Sequence, residues 1–119
     1  MKKILLVEDD EFLIDIYKTK LEKSGFKVVV ESDGAKAVET IKKEKPDLVL
    51  LDIVLPNEDG WGILRDLQNT GAEKTNAVVL SNLGQKEEIE KGLSLGASLY
   101  LIKAHYTPSQ VVKEISALV

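Results

Sequence analysis

Leu48-Val49-Leu50-Leu51-Asp52 is the stretch that most restricts what this chain can become. An apolar run without polar interruption ends on a carboxylate. Pro56 and a polar turn through Gly60 follow, and a new apolar periodicity starts at Trp61. A half-exposed strand alternates apolar and polar side chains, whereas a strand covered on both faces does not. The run therefore reads as a doubly buried strand with Asp52 at its outgoing edge. Ligand crevices form at that edge in open α/β sheets. Asp52 is then a helix cap, an ion-pair partner or a chemical site.

The rest of the chain repeats the pattern. Ile4–Val7 reads as a strand that stops at Glu8-Asp9-Asp10. Glu11–Ser24 is predicted helical, with Leu13, Ile16, Tyr17 and Leu21 at helical spacing and Gly25 as its terminator. Val28–Val30 is a second strand and Ser32-Asp33-Gly34 a turn. Ala35–Lys43 is a second helix, broken by Pro46. A third helix starts at Asp59-Gly60, with Ile63, Leu64 and Leu67 facing inward, and Asn69–Asn76 reads as a loop. Ala77–Leu80 is the fourth strand. Gln85–Leu95 is a helix with Ile89 and Leu93 as its apolar face, ended by Gly96. Leu99–Ile102 is the fifth strand. Thr107 and Pro108 open a last helix with the stripe Val111, Ile115, Leu118. Strictly alternating strands and helices predict one α/β domain over residues 1–119, with a parallel sheet between helical layers.

Composition narrows the chemistry. There is no cysteine, so disulfides and thiolate metal sites are excluded and a cytoplasmic setting is expected. The opening Met1-Lys2-Lys3 is basic, but the acids from Glu8 cut the apolar run that follows far short of a secretory signal. No apolar stretch approaches the roughly 20 residues that cross a bilayer, so no membrane association is expected. The net charge of −4 and the absence of a basic stripe argue against direct nucleic-acid binding.

Parallel strands bring all their carboxyl ends to one edge. The first carries Glu8, Asp9 and Asp10, the third Asp52, the fourth Ser81 and the fifth Lys103. The second ends less tellingly on Glu31 and Ser32. Two unit charges about 4 Å apart repel by roughly 4 kcal/mol at a surface-like dielectric, so clustered carboxylates need a countercharge. Lys103 supplies part of it. A divalent cation supplies more, and an all-oxygen donor set selects a hard ion, Mg2+. Carboxylates, magnesium, an ammonium and a small hydroxyl make a phosphoryl-transfer site. With no cysteine, and with the single His105 read as a surface or capping residue, an aspartate is the available nucleophile. The adjacent Glu8 and Asp9 suit the metal, and the solitary Asp52 suits the acceptor. Lys103 would contact the transferred group and Ser81 would donate to one of its oxygens.

Each residue also has a plainer role. Glu8–Asp10 would serve as an acidic helix N-terminus, Asp52 as a turn residue, Trp61 as packing, and Lys42–Lys45 as a solvated helix end. The signal is their joint placement. A phosphatase-like hydrolase of the haloacid-dehalogenase type would want a second aspartate where Val54 stands. A nucleotide- or flavin-binding module would want a glycine-rich phosphate loop where Glu8-Asp9-Asp10 stands.

These residues together resemble the receiver domain of two-component response regulators. The resemblance covers essentially the whole chain. It rests on Leu5-Leu6-Val7-Glu8-Asp9-Asp10, Asp52 with Pro56 and Gly60, Ser81, Gly96-Ala97, and Tyr100 ahead of Lys103. It implies a flavodoxin-like (βα)5 sandwich with strand order 2-1-3-4-5. It implies Asp52 as phosphoacceptor, and Glu8 and Asp9 as the magnesium-binding pair with Asp10 flanking them. Val54 would offer a backbone carbonyl to the metal, Ser81 and Tyr100 would form the switch pair, and Lys103 would be the active-site lysine. The implied donor is a phosphohistidine on a sensor histidine kinase or histidine phosphotransfer protein. The implied output is a protein partner on the face of the fourth helix, fifth strand and fifth helix. The domain would assist its own phosphorylation and dephosphorylation without being an enzyme in its own right. The alternative is a degenerate receiver acting as a phosphorylation-independent interaction module.

Two positions depart from the family pattern. Ala104 follows Lys103 where a proline is usual, often after a cis bond; before alanine that bond would cost about 2.5–4 kcal/mol, so a trans peptide and a remodelled loop from Ala104 to Pro108 are expected. Asn82 follows Ser81 where the family commonly has alanine or glycine, and its side chain would restrict access to an acyl phosphate. The sequence ends at Val119, just past the last helix, which suits a stand-alone receiver or a piece of a larger regulator.

Overall fold

A computed structural model describes residues 1–68 and 75–119. The strands are β1 (Lys3–Val7), β2 (Lys27–Glu31), β3 (Leu48–Leu51), β4 (Asn76–Ser81) and β5 (Leu99–Ile102). The helices are α1 (Glu11–Lys23), α2 (Gly34–Glu44), α3 (Gly60–Gln68), α4 (Lys86–Ser94) and α5 (Pro108–Leu118). All strand pairs are parallel and the order is β2-β1-β3-β4-β5, as expected.

The uninterrupted apolar runs are explained by burial on two sides. Leu5, Val7, Val49 and Leu51 pack toward α2 and α3, with Ala37, Ile41, Ile63 and Leu64. Their neighbours Ile4, Leu6, Leu48 and Leu50 point the other way, onto Tyr17 and Leu21 of α1 and Val111 and Ile115 of α5. Successive strand residues thus feed opposite cores. Each fully buried Leu or Ile side chain contributes about 1.5–3 kcal/mol of transfer free energy.

Helix ends follow their sequence signals. Asp10 caps α1 through bonds from the Phe12 and Leu13 N–H groups, and Gly25 follows the helix at φ 94°. Asp33 caps α2, and Thr107 with Gln110 forms a capping box at α5 with Pro108 in its first turn.

Three expectations are corrected. Asn76 is the first residue of β4 and not a loop residue; the expected loop residues 69–74 lie outside the described residues. Glu31 belongs to β2 rather than following it. Leu93 does not form the inner face of α4: it is 47% exposed, and the buried residue is its neighbour Gly92, because the Tyr100 ring occupies the space against that helix. After β5, Lys103–His105 forms one 3₁₀ turn, and no peptide bond among the described residues is cis.

Candidate functional site

The sheet register sets the site. Val7 pairs with Leu51, so Glu8 and Asp52 are the next residues on adjacent parallel strands. The ladder continues one step into them: Glu8 N–H donates to the Glu31 carbonyl at 3.2 Å and Asp52 N–H to the Val7 carbonyl at 3.1 Å. Both side chains leave the sheet between β1 and β3, where strand order reverses. On the far side Ser81 pairs with Ile102, which places Lys103 just beyond the end of β5.

Lys103 reaches back across this edge. Its ammonium lies 2.8 Å from Asp52 Oδ2 and 3.2 and 3.4 Å from the two Glu8 oxygens. Asp52 Oδ1 accepts from the N–H groups of Ile53 at 2.7 Å and Val54 at 3.3 Å. Glu8, Asp52 and Ser81 are 4, 8 and 1% exposed, the only buried polar or charged residues among those described. Isolated buried charges are expensive, and here a shared ammonium pairs them. Without the proline of the family pattern, Lys103 is still aimed at Asp52, from the first position of the 3₁₀ turn.

Glu8, Asp9 and Asp52 each present a carboxylate oxygen within 4.8 Å of the others. Three convergent oxygens suit a hard divalent cation. Asp10 stands apart from them: its Oδ1 caps α1, at 2.9 Å from Phe12 N and 3.3 Å from Leu13 N. Val54 is 63% exposed beside the site.

The electrostatics follow from burial. Glu8 is pushed up from 4.5 to about 7, mainly by burial and then by the Asp52 charge, against the pull of Lys103. Burial works against the Lys103 charge, but Asp52 and Glu8 outweigh it and hold that ammonium above its usual value. A carboxyl whose folded pKa is raised favours its protonated form in the fold. Its contribution to the stability of the metal-free protein is complete below its unfolded value, 4.5, and is lost as pH rises through about 7. The fall in thermal midpoint between about pH 5 and about pH 8 is therefore expected to be smaller in Glu8→Gln than in wild type. Equal slopes in the two proteins would contradict this environment for Glu8.

Ser81 Oγ accepts from Leu83 N–H at 3.3 Å, and the Tyr100 hydroxyl donates to the Leu83 carbonyl. Burial, with the Glu88 and Asp52 charges, pushes that hydroxyl up to about 12, opposed by the neighbouring Ser81 hydroxyl. Ser81 and Tyr100 therefore meet at one segment, the start of the β4–α4 connection. The Tyr100 ring stacks on Trp61 with centroids 6.5 Å apart, and Lys91 Nζ lies 4.5 Å above the Trp61 ring. Gly92 faces both rings: a Cβ there would stand 2.6 Å from the Tyr100 ring and 3.6 Å from Trp61. Gly92→Ala is expected to cost about 1–3 kcal/mol through overpacking and to change Trp61 fluorescence as Tyr100 shifts. Denaturant unfolding followed at Trp61 checks both.

Sequence reasoning missed Gly92 and the role of Glu31, whose carboxylate accepts from Asp33 N–H at 3.1 Å and from Thr40 Oγ1 at 2.8 Å. A glycine inside a helical pattern is the signal for close approach at Gly92. His105 is exposed and Trp61 half-buried, as expected.

Residues 4–116 match the family described as response regulator receiver domain. The chain is 36% identical over 119 residues to the alkaline phosphatase synthesis transcriptional regulatory protein PhoP of Bacillus subtilis, covering 98% of this chain and 48% of that protein. It spans about half the length of the curated relatives it matches. The BeF3-activated N-terminal receiver domain of Klebsiella pneumoniae RstA superposes with a TM-score of 0.90 at 37% identity, over 98% of this chain and 97% of that one. The receiver domain of Francisella response regulator 1452 gives 0.92 at 27% identity, over 99 and 96%.

Proposed function

Because the chain belongs to the family of response regulator receiver domains, we propose that it is a phosphorylation-controlled switch whose acceptor is Asp52. The observation that carries this reading is the shared Lys103 ammonium, which holds one Asp52 oxygen while the Ile53 and Val54 N–H groups hold the other. That arrangement fixes the carboxylate's orientation for attack.

In the proposed reaction an Asp52 carboxylate oxygen attacks the phosphorus of a phosphohistidine on a sensor kinase or phosphotransfer protein. An O–P bond forms and the P–N bond breaks, its electron pair returning to the imidazole. Lys103 stays near the transferred group as a point charge. Glu8, Asp9, Asp52 and the Val54 backbone carbonyl would hold Mg2+, which supplies charge neutralisation at the phosphoryl oxygens. The all-oxygen donor set fits that ion.

The acyl phosphate replaces a single negative charge with nearly two and adds acceptor oxygens. Ser81 turns toward them, giving up its bond with Leu83 N–H, and the β4–α4 connection moves with it. Tyr100 answers through its own bond to Leu83, and the face of α4, β5 and α5 presents a different surface to a downstream protein. Residues 1–119 act as this one unit. Incubation with acetyl phosphate and magnesium, read by intact mass, tests the reading: one phosphoryl group per chain is expected, and no addition would overturn it.

A further inference from the structure

We propose that Asp33, Gly34 and Asn57 form a strap that fixes the β3–α3 loop and thereby sets how tightly the site holds its divalent cation. The proposal rests on the reading of the Val54 backbone as a metal ligand.

The loop from Asp52 to Asp59 brings both the acceptor and Val54 to the site. Its base closes on itself, with the Gly60 N–H donating to the Ile53 carbonyl at 2.7 Å. Its apex, Pro56 and Asn57, is exposed. That apex is tied to the N-terminus of α2. Gly34 N–H donates to the Pro56 carbonyl at 3.2 Å, and Asn57 Nδ2 donates to Asp33 Oδ1 at 2.9 Å.

The same Asp33 oxygen accepts from Ala35 N–H at 2.9 Å, so the first turn of α2 and the loop apex hang from one atom. Asp33 is itself anchored, its N–H donating at 3.1 Å to Glu31, which also accepts from Thr40 of α2 at 2.8 Å. Helix α2 needs only its cap from Asp33. The additional bond to Asn57 serves the loop.

Backbone geometry points the same way. A Cβ on Gly34 would stand 2.0 Å from the Glu58 carbonyl oxygen and 3.0 Å from that of Pro56, so the loop can lie here only against a bare glycine. Asn57 has φ 69°, a left-handed conformation that asparagine tolerates and glycine adopts freely. Partners that orient metal ligands from outside the ligand set commonly govern affinity by about 10–100-fold.

Asn57→Gly isolates the effect, since it keeps the left-handed backbone and removes only the amide. Calorimetric titration with magnesium chloride is expected to show about 10-fold weaker binding than wild type. The thermal midpoint in EDTA should match wild type, and phosphoryl uptake from acetyl phosphate should recover at saturating magnesium. Asp33→Ala and the double variant should bind magnesium equally weakly, because the two residues act through one bond. Wild-type magnesium affinity in Asn57→Gly, or additive losses in the double variant, would overturn the strap. A wild-type chain that takes up no magnesium, or Glu8→Gln binding it as wild type does, overturns the metal reading instead and the strap with it.

Discussion

Asp52→Asn is expected to take up no phosphoryl group from acetyl phosphate and magnesium, while wild type takes up one per chain. Asparagine is the informative replacement. Its carbonyl oxygen still accepts from the Ile53 and Val54 N–H groups, so the backbone of the turn keeps its bonds. Its amide can neither form an acyl phosphate nor neutralise Lys103. The neighbouring carboxylates do not compensate. Glu8 is pushed toward its protonated form, to about 7, and a protonated carboxyl is a poor nucleophile. Asp9 is exposed and stands at the rim of the cluster rather than under Lys103. Intact mass separates the outcomes. Equal uptake in wild type and Asp52→Asn would remove Asp52 as acceptor.

Residues whose physics is local or periodic were legible in the sequence. Buried parallel strands announce themselves as unbroken apolar runs, and the end of each run names the residue at the sheet edge. That is why Glu8, Asp52, Ser81 and Lys103 emerged together without geometry. Contacts between loops were not legible. Asp33 reads as a turn residue, and nothing in its sequence neighbourhood reveals its partner Asn57, 24 residues away. Leu93 was misplaced because helical periodicity assumes that the apolar side chain faces inward. Here the inward position next to it is Gly92, left bare for the Tyr100 ring that arrives from another strand.

Lys103→Met is expected to move three quantities in different directions. Lys103, Glu8 and Asp52 have side chains only 15, 6 and 9% exposed, so removing the ammonium leaves two carboxylates facing each other with little water. Breaking a buried pair of this kind typically costs about 3–5 kcal/mol. Methionine keeps the apolar stem, so the loss reports charge more than packing. The cost must depend on pH. Glu8 already titrates near 7 with Lys103 present, and without that ammonium its pKa rises further. At about pH 5 Glu8 carries its proton with or without Lys103 and the repulsion is absent; the penalty grows as pH rises through about 7 and above, where the variant must either hold that proton or bear the repulsion. Phosphoryl uptake should fall by about 10²–10³-fold, the effect of removing a preorganised group that stabilises developing charge. Magnesium affinity should rise, because the ammonium and the cation compete for the same Glu8 and Asp52 oxygens. A purely structural lysine would lower stability, uptake and metal affinity together and without pH dependence. Only a countercharge shared between acceptor and metal site raises one while lowering the others.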